Sequence, residues 1–136
     1  MRKHFSVLAL SLVALSLALA ACGGGGSSTA AGSTEVHVKM TEFKFELDKT
    51  SVPAGPVKFV FENAGSVVHE AMVERAGDAN KPLEANGKKA EVLDIAPGKS
   101  VTLEWTFDQP GNYQLTCHLP GHYEAGMVTN LTVTGR

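Results

Sequence analysis

The sequence predicts an all-β domain: a two-sheet antiparallel β-sandwich of about seven or eight short strands with Greek-key connections. Three observations carry this expectation. From Val36 onward, apolar and polar side chains alternate with a period of two, the pattern of a strand buried on one face. Clusters of Pro, Gly, Asn and Asp punctuate the alternating runs at short intervals. No stretch of residues 34–136 shows a 3.6-residue apolar period long enough for an ordinary helix.

The elements follow in order. Residues 1–21 read as an export signal: Met1, Arg2, Lys3 and His4 are a basic start, and residues 5–20 are apolar apart from scattered Ser. Leu19, Ala20, Ala21 and Cys22 resemble the lipobox of bacterial lipoproteins, which implies cleavage before Cys22 and lipidation of its sulfur. An ordinary secretory cleavage near Ala20 and Ala21 is the alternative. A spanning helix is disfavoured, because a span needs about 20 predominantly apolar residues. Residues 22–34 are the lipidated Cys and a Gly/Ser-rich tether, whose r.m.s. reach is on the order of 20 Å. The folded domain is residues 35–136, enough for one core.

Within it, Val36, Val38 and Met40 alternate with His37 and Lys39, and Phe43, Phe45 and Leu47 alternate with Lys44 and Glu46. Both runs predict half-buried strands. The turn Pro53-Ala54-Gly55-Pro56 leads to Val57, Phe59 and Phe61, and Asn63-Ala64-Gly65 ends that run. Residues 74–89 are polar and without period, so a long loop with a short helical turn is expected there. Val101, Leu103, Trp105 and Phe107 predict another strand, ended by Asp108-Gln109-Pro110-Gly111. Two more, residues 112–117 and 127–134, flank a loop rich in chemistry.

In that loop Cys117, His122 and Met127 stand at even five-residue steps. A thiolate, imidazoles and a thioether are the soft donor set of copper; two His and one Cys with a long axial Met describe the blue-copper electron-transfer site. The second His must come from elsewhere, and His69 is the candidate. Side-chain parity supports this: Cys117 shares a face with Leu115 and Tyr113, His69 with Val67, Ala71 and Val73, and Met127 with Leu131 and Val133. Each residue alone has a plainer reading, as core filler or a carbonyl-bonded imidazole, but the turn Pro120-Gly121 returns His122 toward Cys117, and Gly126 allows close backbone approach before Met127. The cysteine count agrees. With Cys22 acylated, Cys117 is a lone thiol in an oxidising compartment, and a bound metal would protect it.

The remaining His fit other roles. His118 falls on the face opposite Cys117 and is expected at the surface or beside the ligands; His37 alternates outward, and His4 leaves with the signal. With a bacterial source, the glycosylation sequon at Asn130 has no role. The chain carries a formal charge of −2. Without Arg2 and Lys3, 10 basic face 14 acidic side chains, so no basic patch points to nucleic acid.

These residues resemble the cupredoxin family of small blue copper proteins over about residues 36–134. The likeness rests on Gly111-Asn112-Tyr113 before the Cys strand, the Cys117, His122 and Met127 spacing, and Asn63-Ala64-Gly65 ahead of His69. One departure is Glu70, where the family often has an Asn tying the two ligand loops together. The resemblance implies a cupredoxin-like fold, one type 1 copper ion, and single-electron transfer with no enzyme activity. It further implies a monomer whose redox donor and acceptor dock transiently on Leu119, Pro120 and Ala125 around His122. The alternative is a copper-binding lipoprotein for copper delivery or resistance. Location is expected outside the cytoplasm, lipid-anchored on the outer face of the cytoplasmic membrane or in the periplasm.

Overall fold

A computed structural model describes residues 32–136. The expected signal, Cys22 and nearly all of the tether lie outside the described residues. Eleven strands and no helix form among the described residues: β1 (Thr34–Thr41), β2 (Lys44–Leu47), β3 (Ser51–Pro53), β4 (Gly55–Asn63), β5 (His69–Arg75), β6 (Glu84–Ala85), β7 (Lys88–Lys89), β8 (Glu91–Ile95), β9 (Ser100–Phe107), β10 (Gly111–Thr116) and β11 (Val128–Thr134). They build the expected two-sheet sandwich, in more strands than the seven or eight expected. One sheet has the order β2-β1-β4-β9, the other β3-β11-β10-β5-β8, and β6 and β7 form a small separate hairpin. Most pairings are antiparallel, while β1 with β4 and β3 with β11 run parallel.

Period two decides which faces meet. Val36, Val38 and Met40 of β1, Val57, Phe59 and Phe61 of β4, and Leu103, Trp105 and Phe107 of β9 all turn inward and are buried. Leu115, Leu131 and Val133 meet them from the second sheet. The aromatic centre is continuous: Phe59 stacks on Phe61 at 5.7 Å and lies edge-on to Phe107 at 6.3 Å, and Phe107 meets Tyr113 at 4.8 Å. Burying each Phe contributes about 2–3 kcal/mol. The Tyr113 hydroxyl donates to Gln109 O at 2.9 Å, closing the turn before β10. That fixes one end of β10; its other end delivers Cys117.

The structure departs from the expected elements in three places. Phe43, expected inward with Phe45, lies in the two-residue turn between β1 and β2 and is 40% exposed. Residues 74–89 hold no helical turn; they contain a Glu74–Pro82 bridge and the β6–β7 hairpin. β3 and β8 pair as edge strands, each short or half-polar and therefore weakly marked by alternation.

Candidate metal centre

The ladder between β5 and β10 ends at Met72 opposite Thr116, and that between β10 and β11 at Thr116 opposite Val128. Beyond these points the strands part, and the site lies in the opening. The loop after β10 is folded by its own backbone: His122 N donates to Leu119 O at 2.9 Å, Met127 N to His122 O at 3.0 Å, and Cys117 N to Met127 O at 3.2 Å. Gly121 and Gly126 take φ of 83° and 99°, left-handed values that a side chain would strain. The neck therefore holds Cys117 and Met127 side by side, with His122 returned over them.

The donors converge. Cys117 Sγ lies 3.3 Å from His122 Nδ1, and His69 Nδ1 lies 3.3 Å from the same nitrogen. The three ligand atoms all fall within 4.8 Å of one another. A metal held at about 2.0–2.3 Å by nitrogen and sulfur sets its donors roughly 3.3–3.8 Å apart, so the spacing fits a shared ion. Cys117, His69 and Met127 are fully buried, and His122 keeps partial exposure. His69 Nε2 is buried without a partner, which assigns no other hydrogen-bonding task to this imidazole. One thiolate and two imidazoles beside a thioether suit copper better than the all-oxygen sites of hard cations.

Electrostatics prepare the site for a cation. Burial pushes the Cys117 thiol above its ordinary value, with the Glu70 carboxylate adding to the rise, while the N–H groups of Glu70 and Leu119 oppose it. A bound cation reverses that balance and favours thiolate. Burial also lowers His69, assisted by His122 and opposed by Glu42. Its imidazole therefore presents a free lone pair at neutral pH.

Two residues flagged in the sequence take clear places. Glu70, only 8% exposed, accepts His118 N at 2.9 Å across 48 residues of chain. It supplies the tie between ligand loops that the family gives to Asn. His118 is partly buried, off the donor cluster: its Nε2 lies 3.0 Å from Glu74 Oε1, and its ring stacks on Tyr123 at 4.8 Å. Glu74 is wholly buried, accepting Lys81 N at 2.7 Å and Gln114 Nε2 at 3.0 Å. Alternation along β5 sets Glu74 on the face opposite Ala71 and Val73. It is buried because residues 76–82 fold across that outer face. His37 is exposed and pairs with Glu35 at 2.9 Å, as its alternation predicts.

The sequence reading missed Glu42 and Phe43. Glu42 accepts Ser66 N and, at 3.1 Å, Val67 N. Donors from Ser66, from its own backbone and from Val67 hold its carboxyl down at about 2. Phe43 meets the His122 ring edge-on at 5.0 Å. A Glu-Phe pair in a tight turn gives no sequence signal of either contact.

Known proteins agree with this architecture. Residues 7–129 match the cupredoxin-like domain model. The copper-resistant cuproprotein CopI of Vibrio cholerae is 30% identical over 112 residues, which is 75% of this chain and 66% of that protein's length. Multicopper oxidase mco of Staphylococcus epidermidis is 28% identical over 66% of this chain but only 19% of its own. Auracyanin A, a "blue" copper protein from Chloroflexus aurantiacus, superposes with a TM-score of 0.60 at 25% identity, covering 76% of this chain and all of its own. With its two-sheet topology and a Cys-His-His cluster where the strands part, the chain belongs to the family of cupredoxin-like domains.

Proposed function

We propose that this protein carries single electrons between redox partners through one type 1 copper ion held by Cys117, His69, His122 and Met127. The observation that carries the reading is the convergence of one buried thiol and two imidazole Nδ1 atoms within 4.8 Å. When bound, copper would supply the Cu(II)/Cu(I) couple. The protein supplies the rest. Cys117 and the two imidazoles would hold the ion, and Met127 would lend a thioether that, with the apolar surroundings, tunes its potential. Backbone pairing at the neck and the Glu70 tie hold the donors through either charge state, so little reorganisation accompanies transfer. His122 alone among the three clustered donors reaches the surface, which makes its ring the exit for the electron.

The test is optical and EPR spectroscopy of the purified protein loaded with Cu(II). An intense visible thiolate-to-copper band with narrow hyperfine splitting is expected; a weak d–d spectrum alone would reject the reading. A charged residue at Leu119 or Ala125 should slow reduction by a partner roughly tenfold or more while leaving that spectrum intact. Stopped-flow reduction measures it, and an unchanged rate would move the docking face elsewhere.

A second reading has support from the CopI relative: copper binding for resistance or delivery. The enclosed site argues for the shuttle, since a carrier needs an exchangeable ion. Metal transfer to an apo-acceptor separates the two, because a shuttle cycles without releasing copper. Neither reading includes catalysis, and the oxidase likeness is confined to 19% of that larger protein. Export and anchoring through Cys22 remain part of the proposal, with the domain held at the outer face of the membrane.

A further inference from the structure

We propose that the turn Glu42–Phe43 is a clamp that positions both imidazoles of the centre, one residue acting on each. The inference rests on His69 and His122 as ligands and concerns how they are held. The turn closes the hairpin of β1 and β2 at the edge of one sheet, while His69 opens β5 in the other sheet and His122 rides the loop after β10. It therefore bridges the end of the sandwich where the donors lie.

Glu42 acts on the segment before His69. Residues 64–68 leave the ladder, so their N–H groups need other acceptors. From inside, buried Asn63 takes part of the load: its Nδ2 donates to Val67 O at 2.8 Å and Ile95 O at 2.7 Å, and its Oδ1 accepts Gly65 N at 2.9 Å. From outside, Glu42 Oε1 accepts the N–H groups of Ser66 and Val67 and the Ser66 hydroxyl. The segment is gripped from both sides, two residues ahead of the ligand. Gly65 is fitted to the grip, because a Cβ there would stand 2.5 Å from Glu42 Oε1. Phe43 acts on the other imidazole. Its ring lies edge-on to His122 at 75° and 5.0 Å, limiting rotation of a side chain that is itself partly exposed. That contact explains why a large apolar ring stays 40% exposed in a tight turn.

The experiment compares E42A, E42Q, G65A and F43A in the full chain. In the metal-free protein, the Ser66 and Val67 amides of E42A should exchange with solvent about tenfold faster, the effect of losing charge-assisted hydrogen bonds. G65A should reproduce this with the Glu42 residue itself unmutated, since its methyl displaces the carboxylate. E42Q keeps an acceptor oxygen and should largely rescue exchange, yet with copper bound it should shift the potential upward, because a negative charge near the ion is gone. F43A should leave those amides protected and alter the EPR hyperfine splitting through a freed His122 ring. Unchanged exchange in both E42A and G65A would overturn the clamp at His69; an unchanged spectrum in F43A would overturn it at His122. If the wild type takes up no copper, the electron-transfer reading fails, while the exchange measurement still decides whether Glu42 holds the loop.

Discussion

Cys117→Ser should abolish the intense visible band and the copper-linked stability together, while the metal-free domain still folds. Cys117 is fully buried with its sulfur facing the N–H groups of Glu70 and Leu119. A serine oxygen can accept those donors, so the cost to the metal-free fold is only about 1 kcal/mol. The loss on the metal side is larger. An ion present at a thousand times its Kd adds about 4 kcal/mol, which raises Tm by on the order of 15 °C in a domain of this size. Thermal scans with and without copper should show that rise in the wild type and almost none in the variant. A pH signature accompanies it. The thiol titrates above its ordinary value of 9.0, so near pH 7 it must give up a proton to become a ligand. Apparent affinity should therefore rise about tenfold per pH unit below that pKa. His69 is lowered below 6.5 and needs to release no proton there. Chelator competition at two pH values measures the slope, which should vanish in the serine variant; a variant that keeps the band would remove the thiolate from the centre.

Glu74→Leu should be the most destabilising single change in the polar interior, by about 3–5 kcal/mol. The Glu74 carboxylate is 0% exposed and both its oxygens are engaged, Oε1 by Lys81 N and the His118 contact, Oε2 by Gln114 Nε2. Leucine strands these groups beneath residues 76–82. Even Glu74→Gln is unsatisfactory, because its one amide NH2 must face either Gln114 Nε2 or Lys81 N, a donor against a donor. Urea denaturation should lower the midpoint by roughly 1–3 M for leucine and by less for glutamine. A wild-type midpoint in Glu74→Leu would show that the network adds nothing to stability.

What the sequence made legible follows from how locally each signal is written. The faces of β1, β4 and β9 depend only on which residues alternate, and they emerge as read. The cluster was legible for the same reason: Cys117 and His122 lie in one short segment, and parity brings His69 to the core side. Alternation states which face a residue is on, but not what covers that face. Alternation sets Glu70 and Glu74 opposite Ala71 and Val73, yet every residue of β5 except Arg75 is buried. The cover comes from a distant loop. Phe43 shows the converse error, since its parity with Phe45 holds only if the strand extends that far, and the hairpin turns first. The weakly alternating strands β3 and β8 are defined by the neighbours they pair with.

The parallel pairing of β3 with β11 matches Ser51 with Thr132, segments from opposite halves of the molecule. Such a topology gives a high contact order, and sandwiches of this kind fold in milliseconds to seconds rather than microseconds. His69 is made well before the segment bearing Cys117, His122 and Met127, and that segment is seated by β11. A partly synthesised or truncated polypeptide thus has no cage to offer an ion. Metal capture belongs after β11 has docked.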